Sequence, residues 1–213
     1  MVSTFLFAAL LAQPLASESI EATEDVWVYS HASDPGGDSA LRIFGNGGHA
    51  VAGSAGDLES FSYGYLKFDL SGLPKGKKLT SAELILTPAG KPVVDPASKD
   101  WPLEVRPMVG SFAEKTWAFE MASDVTPSKD SVYGNGVIKQ AGDTFEIRMN
   151  LLGEKSKFTG GLGKLVDSAR PLFVALTSKY DASEQGMKGM YKVYSRDNKE
   201  RALRPRLELK FAD

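Results

Sequence analysis

Apolar and polar residues alternate with a period of two along much of this chain. In the segment 205–211, Leu207, Leu209 and Phe211 fall on one side and Arg206, Glu208 and Lys210 on the other. Such alternation marks a strand with one buried face. The same reading predicts strands over 25–30, 40–45, 62–70, 79–86, 103–109, 144–152 and 192–195. Gly64, Leu66, Phe68 and Leu70 form one predicted inner face; Ala82, Leu84 and Leu86 form the next. Residues 171–177 are almost continuously apolar, as in a strand covered on both faces. Only 158–169 suits a helix, starting at Leu162, and its three glycines weaken it. Many short strands divided by turn residues predict an all-β, jelly-roll-like sandwich of two antiparallel sheets, with roughly nine to twelve strands. No repeat or linker divides the chain, so 20–213 reads as a single domain.

The start of the chain is patterned differently. Residues 5–12 are an uninterrupted apolar run, followed by Pro14 and the small residues Ala16, Ser17 and Ser19. The run is too short to span a bilayer and fits a signal peptide over 1–19, cleaved near 16–19. The segment before it carries no Lys or Arg. A buried first strand or helix is the alternative. The expected location is outside the cell, with no membrane span.

Charge changes the picture more than composition does. The net charge of −2 argues against nucleic acid as a partner. Residues 18–70 nevertheless hold nine acids and two bases, and 188–210 hold eight bases and three acids. The basic end suits an anionic ligand, because an Arg guanidinium pairs bidentately with carboxylates. Arg196 leads the candidates, with Arg42, Lys67, Lys199 and Arg201 beside it. The competing reading pairs Arg196 with Asp69 or Asp197.

Trp27, Tyr29, Tyr63 and Tyr65 lie opposite the predicted core faces, where exposed rings would offer a platform to sugar C–H faces. Loops covering that face would instead make them core. Trp101 and Trp117 read as core anchors. Asp34 and Asp38, with Glu24 or Asp25 nearby, are a candidate Ca²⁺ pair; no other cofactor is expected.

Catalysis finds little in the sequence. There is no cysteine, which removes disulfides and thiolate chemistry, and His31 and His49 are the only imidazoles. No G-x-S-x-G, H-E-x-x-H or P-loop motif occurs. The protein is therefore expected not to be an enzyme, although its 27 acids leave room for a polysaccharide lyase or hydrolase.

One run of motifs is specific in its order. A strand Tyr-Leu-Lys-Phe-Asp-Leu from Tyr65 leads into Ser-Gly-Leu-Pro ending at Pro74, then Ser-Ala before the alternating strand ending at Leu86. Near the other end, Ser195-Arg196-Asp197 precedes Arg204-Pro205. This order resembles the DNRLRE-type (disaggregatase-related) domain, also called carbohydrate-binding module family 96, over most of 24–211. The loop Ser33-Asp34-Pro35-Gly36-Gly37-Asp38 departs from that family's pattern. The resemblance implies non-catalytic attachment to polysaccharide, including anionic polymers such as alginate. An enzyme or matrix protein is the expected second partner, and a structural or adhesive surface protein is the alternative function.

Overall fold

The computed structural model describes residues 16–45, 61–90, 102–158, 161–178 and 191–212 of the 213-residue chain. Residues 46–60 and 179–190, together with His49, Trp101 and the segment 1–15, lie outside the described residues. The protein is all-β. One antiparallel sheet contains β1 (Ala16–Glu21), β13 (Arg206–Ala212), β5 (Lys78–Leu86), β10 (Thr144–Asn150) and β9 (Lys139–Ala141), in that order. The second contains β2 (Glu24–Val28), β4 (Tyr63–Phe68), β11 (Leu172–Thr177), β6 (Leu103–Val109) and β7 (Thr126–Pro127), with β8 (Gly134–Gly136) also on β6. A ribbon of β3 (Ala40–Ile43) and β12 (Tyr191–Tyr194) joins them at one side. It meets the second sheet through the Phe44–Ser62 bridge and the first through Pro88–Val193. Among the described residues no helix is long and apolar enough to cross a membrane.

The core lies where period two put it. Leu66 and Phe68 face Leu84 and Leu86, with Val105, Ile147, Met149, Val174, Leu176, Leu207, Leu209 and Phe211 filling the space between the sheets. Each such side chain contributes about 1.5–3 kcal/mol by leaving water. The outer face of the first sheet stays polar. Glu83 and Glu208 are direct cross-strand neighbours, a repulsive pair that Arg148 Nη1 relieves by bonding each at 3.2 Å.

The outer face of the second sheet is not exposed. Val26, Val28, Tyr63, Tyr65 and Ala175 pack there beneath Phe112, Trp117, Ala122 and Val125. The cover is the 110–125 segment, which carries two short 3-10 turns, Glu114–Thr116 and Phe119–Ser123. Tyr63 and Tyr65 are therefore core, at 0% and 1% exposure, and not a sugar platform. The Tyr65 hydroxyl donates to the Val125 carbonyl at 2.7 Å, satisfying the polar end of a buried ring.

Thirteen strands are present among the described residues. The extra ones are β1 and the short β7, β8 and β9, too brief to show alternation. β1 pairs in full register with β13, from Ala16 opposite Phe211 to Glu21 opposite Arg206, so the boundary expected near 16–19 falls inside a paired strand. The helix α1 (Gly161–Asp167) forms where expected. It stops through Ala169 at φ 52°, with Arg170 N–H donating to Leu165 and Ala169 N–H to Val166.

Candidate functional site

The cations singled out by sequence are largely engaged inside the protein. Arg42 Nη1 bonds Asp38 Oδ2 at 2.9 Å, and its guanidinium sits 4.5 Å from the Trp27 ring centre. Trp27 stacks on Tyr29 at 5.5 Å, both half-buried against the main core, and donates from Nε1 to Ser62 Oγ at 2.6 Å. Lys67 Nζ bonds Glu24 and lies 5.7 Å from the Phe173 ring centre. Arg201 pairs with Glu21 at 2.8 Å and Arg204 with the same carboxylate at 3.4 Å. Arg206 pairs with Glu146 at 3.0 Å. Lys199 is exposed with no ion pair among the described residues.

Arg196 sits in a network that ties β2, the 114–116 turn and the 195–198 turn together. Its backbone N–H donates to Asp25 Oδ2 at 2.7 Å and its Nη1 to the Thr23 carbonyl. Nη2 lies 3.3 Å from Asp197 Oδ1, so the pair with Asp197 forms and the one with Asp69 does not. Nε lies 3.3 Å from Glu114 Oε2 without hydrogen-bond geometry, and Asp197 Oδ2 is buried with no hydrogen-bond partner. Glu114 Oε2 accepts from the Asp25 N–H, and Glu24 Oε2 from the Glu114 N–H, each at 2.9 Å.

Four carboxylates thus share two cations, Arg196 and Lys67. Burial pushes Asp25 up to about 7, against the Arg196 N–H that favours its charged form. Burial raises Glu114 too. Glu24 feels the same desolvation, but the bonds from Lys67 and the Glu114 N–H outweigh it and hold Glu24 below its ordinary value. Oxygens of Asp25, Glu114 and Asp197 lie within 4.8 Å of one another. Among the described residues they are the carboxylates spaced to share a cation, and Arg196 already supplies positive charge to them. Asp34 and Asp38, the candidate Ca²⁺ pair, are engaged within their own loop: Asp34 Oδ1 accepts from the Gly37 N–H, and Asp38 accepts from the Ala40 N–H and from Arg42.

Arg196→Ala is expected to destabilise the protein by about 2–3 kcal/mol, because it strands these acids without their counter-ion. Urea denaturation at neutral pH measures the change. A loss below ~0.5 kcal/mol would identify Arg196 as ordinary surface.

Two grooves flank the 150–156 turn that follows β10. One, of about 550 Å³, is lined by Lys77, Lys78, Leu79, Thr80, Leu152, Gly163, Lys164 and Asp167. Its three lysines come from the start of β5 and from α1. Its only carboxylate, Asp167, is already bonded through Oδ1 to the Gly76 N–H at 2.8 Å. Lys78 and Lys164 are exposed and form no ion pair among the described residues. The other groove, of about 470 Å³, holds Glu104, Tyr133, Asn135, Asn150, Glu154 and Lys155.

Sequence reading passed over both. Lys75, Lys77 and Lys78 stand in one short K-G-K-K run that was open to notice. Their meeting with Lys164, 86 residues beyond Lys78, is a product of the tertiary fold. No family model and no curated protein matches this chain.

Proposed function

We propose that this protein is a secreted, non-catalytic polysaccharide-binding β-sandwich that receives the acidic groups of an extracellular polymer in the lysine-lined groove beside α1. One observation carries the reading. Lys78 and Lys164, exposed and without an ion pair among the described residues, converge around the apolar Leu79 and Leu152, whereas Arg196, Arg201, Arg204 and Arg206 all face protein carboxylates. Ammonium groups that face solvent attract uronate or sulfate groups, and the leucines offer contact to sugar C–H faces. The motif order that resembles a carbohydrate-binding module supports the same reading, as does the signal-like start. Each contact is weak, and a polymer repeats it.

The test is retention on immobilised alginate and pectate. Retention should fall as salt rises from about 0.1 M to about 1 M, where the Debye length contracts from about 10 Å to about 3 Å. Lys78→Glu with Lys164→Glu should abolish it, while Arg201→Ala leaves it within about twofold, since that side chain is 76% exposed and paired only at the surface. Retention unchanged by the double substitution, or shortening of the polymer, would overturn the proposal.

A further inference from the structure

Across the 150–156 turn from the lysines, the second groove has a different chemistry, lined mainly by amides, a tyrosine and charge-balanced acids. Its floor is set by β8, whose glycines allow the strand to lie against β10. A Cβ at Gly134 would come 2.5 Å from the Asn150 carbonyl oxygen, and one at Gly136 would come 2.7 Å from that of Arg148. No real Cβ tolerates such contacts, so the close approach requires glycine.

Glu104 is 8% exposed and lines this groove. Every hydrogen bond its carboxylate makes among the described residues runs to Oε2: from Arg106 Nε at 3.0 Å, Arg106 Nη2 at 2.7 Å and Thr177 Oγ1 at 3.4 Å. Oε1 accepts none of them. Oε1 is not among the buried unpartnered atoms, so it reaches the solvent of the groove and is open to a donor from outside. Asn135 is directly opposite Glu104 in the β6–β8 register and is exposed. Asn150 has its Oδ1 held by the Leu152 N–H at 2.9 Å, which fixes the amide and leaves Nδ2 unbonded among the described residues. Tyr133 is fixed by stacking on Phe158 at 3.5 Å between ring centres, and its hydroxyl makes no bond among the described residues.

We infer that this groove is a second binding site, specific for an uncharged, hydroxyl-rich ring such as a neutral glycosyl residue. Glu104 Oε1 accepts from a hydroxyl, the Asn135 and Asn150 amides bridge its neighbours, and the Tyr133 hydroxyl completes the set. Fixed groups of this kind lose little freedom on binding. Arg106 neutralises Glu104 and Lys155 balances Glu154, so the groove lacks the excess of positive charge that draws anions to the lysine groove. A volume of about 470 Å³ is within the range of small-ligand clefts. The inference relies on the polysaccharide reading for its ligand class and on different residues for its contacts.

Calorimetric titration of the full chain with cellohexaose, xylohexaose, mannohexaose and maltohexaose tests it. At least one should bind, about fivefold or more weaker after Asn135→Ala and again after Tyr133→Phe, which keeps the stack on Phe158. Glu104→Gln should weaken binding further where the melting temperature shows the fold intact. Lys78→Glu with Lys164→Glu should leave binding of the neutral sugar unchanged. Binding of a neutral sugar by the unsubstituted protein, with no retention of that protein on alginate or pectate, would sink the lysine-groove reading and spare this one. No heat with any of the four sugars, or binding indifferent to both Asn135→Ala and Tyr133→Phe, would overturn it.

Discussion

Tyr65→Ala is expected to destabilise the protein by about 3–5 kcal/mol, the cost of emptying a large aromatic site in a packed core. The ring is 1% exposed and meets Phe112 and Trp117 at 5.9 and 5.6 Å between centres. Tyr65→Phe separates the hydrogen bond to Val125 from the packing and should cost only about 1 kcal/mol. Burial drives the Tyr65 pKa upward, so the ring stays neutral and its hydroxyl remains a donor. Chemical denaturation of both variants reads the two contributions. A sugar-platform role would give the reverse result, weakened glycan binding with stability unchanged.

The second large effect is on pH dependence. The folded-state pKa of Asp25 is about 7 against an ordinary 3.8, so the folded protein holds a proton that the unfolded chain releases. A raised carboxyl pKa gives stability that is full below pH 3.8 and lost as pH rises through about 7. The loss is on the order of 4 kcal/mol. Glu114, also raised, acts in the same direction. Glu24 and Glu146, both lowered, act oppositely and only at acid pH, where they become protonated. Asp25→Asn keeps an oxygen for the Arg196 N–H and removes the titrating proton. Its denaturation midpoint should be nearly level from pH 5 to pH 8, where that of the parent protein declines. Parallel curves would show that Arg196 and Lys67 compensate the Asp25 charge fully.

The inner faces were legible because alternation depends only on the chain. Leu207, Leu209 and Phe211 announce their side without reference to any partner, as do Ala82, Leu84 and Leu86. Tyr63 and Tyr65 were not legible in that way. They alternate like solvent-facing residues, and their burial depends on the 110–125 segment, whose 3-10 turns leave no periodic signature. Leucines or valines there would have suggested burial; tyrosine suits either side of the boundary. The fate of Arg196 was only half legible. Asp197 is its sequence neighbour, but Glu114 and Asp25 arrive from elements 82 and 171 residues away. The lysine groove is a partial case too, since K-G-K-K was visible while its completion by α1 was not. Charge counted along the sequence pointed to the carboxy-terminal arginines; charge counted in space cancels there and persists beside α1.

Amide chemical-shift mapping of the full chain titrated with an acidic oligosaccharide, such as an oligouronate, tests the central claim most directly. Shifts should gather at residues 77–80, at Leu152 and at Gly163–Lys164, with no new sugar ends appearing in the spectrum. Shifts gathered instead at Arg196–Arg201 or around Arg42, or a spectrum unchanged at saturating sugar, would contradict it.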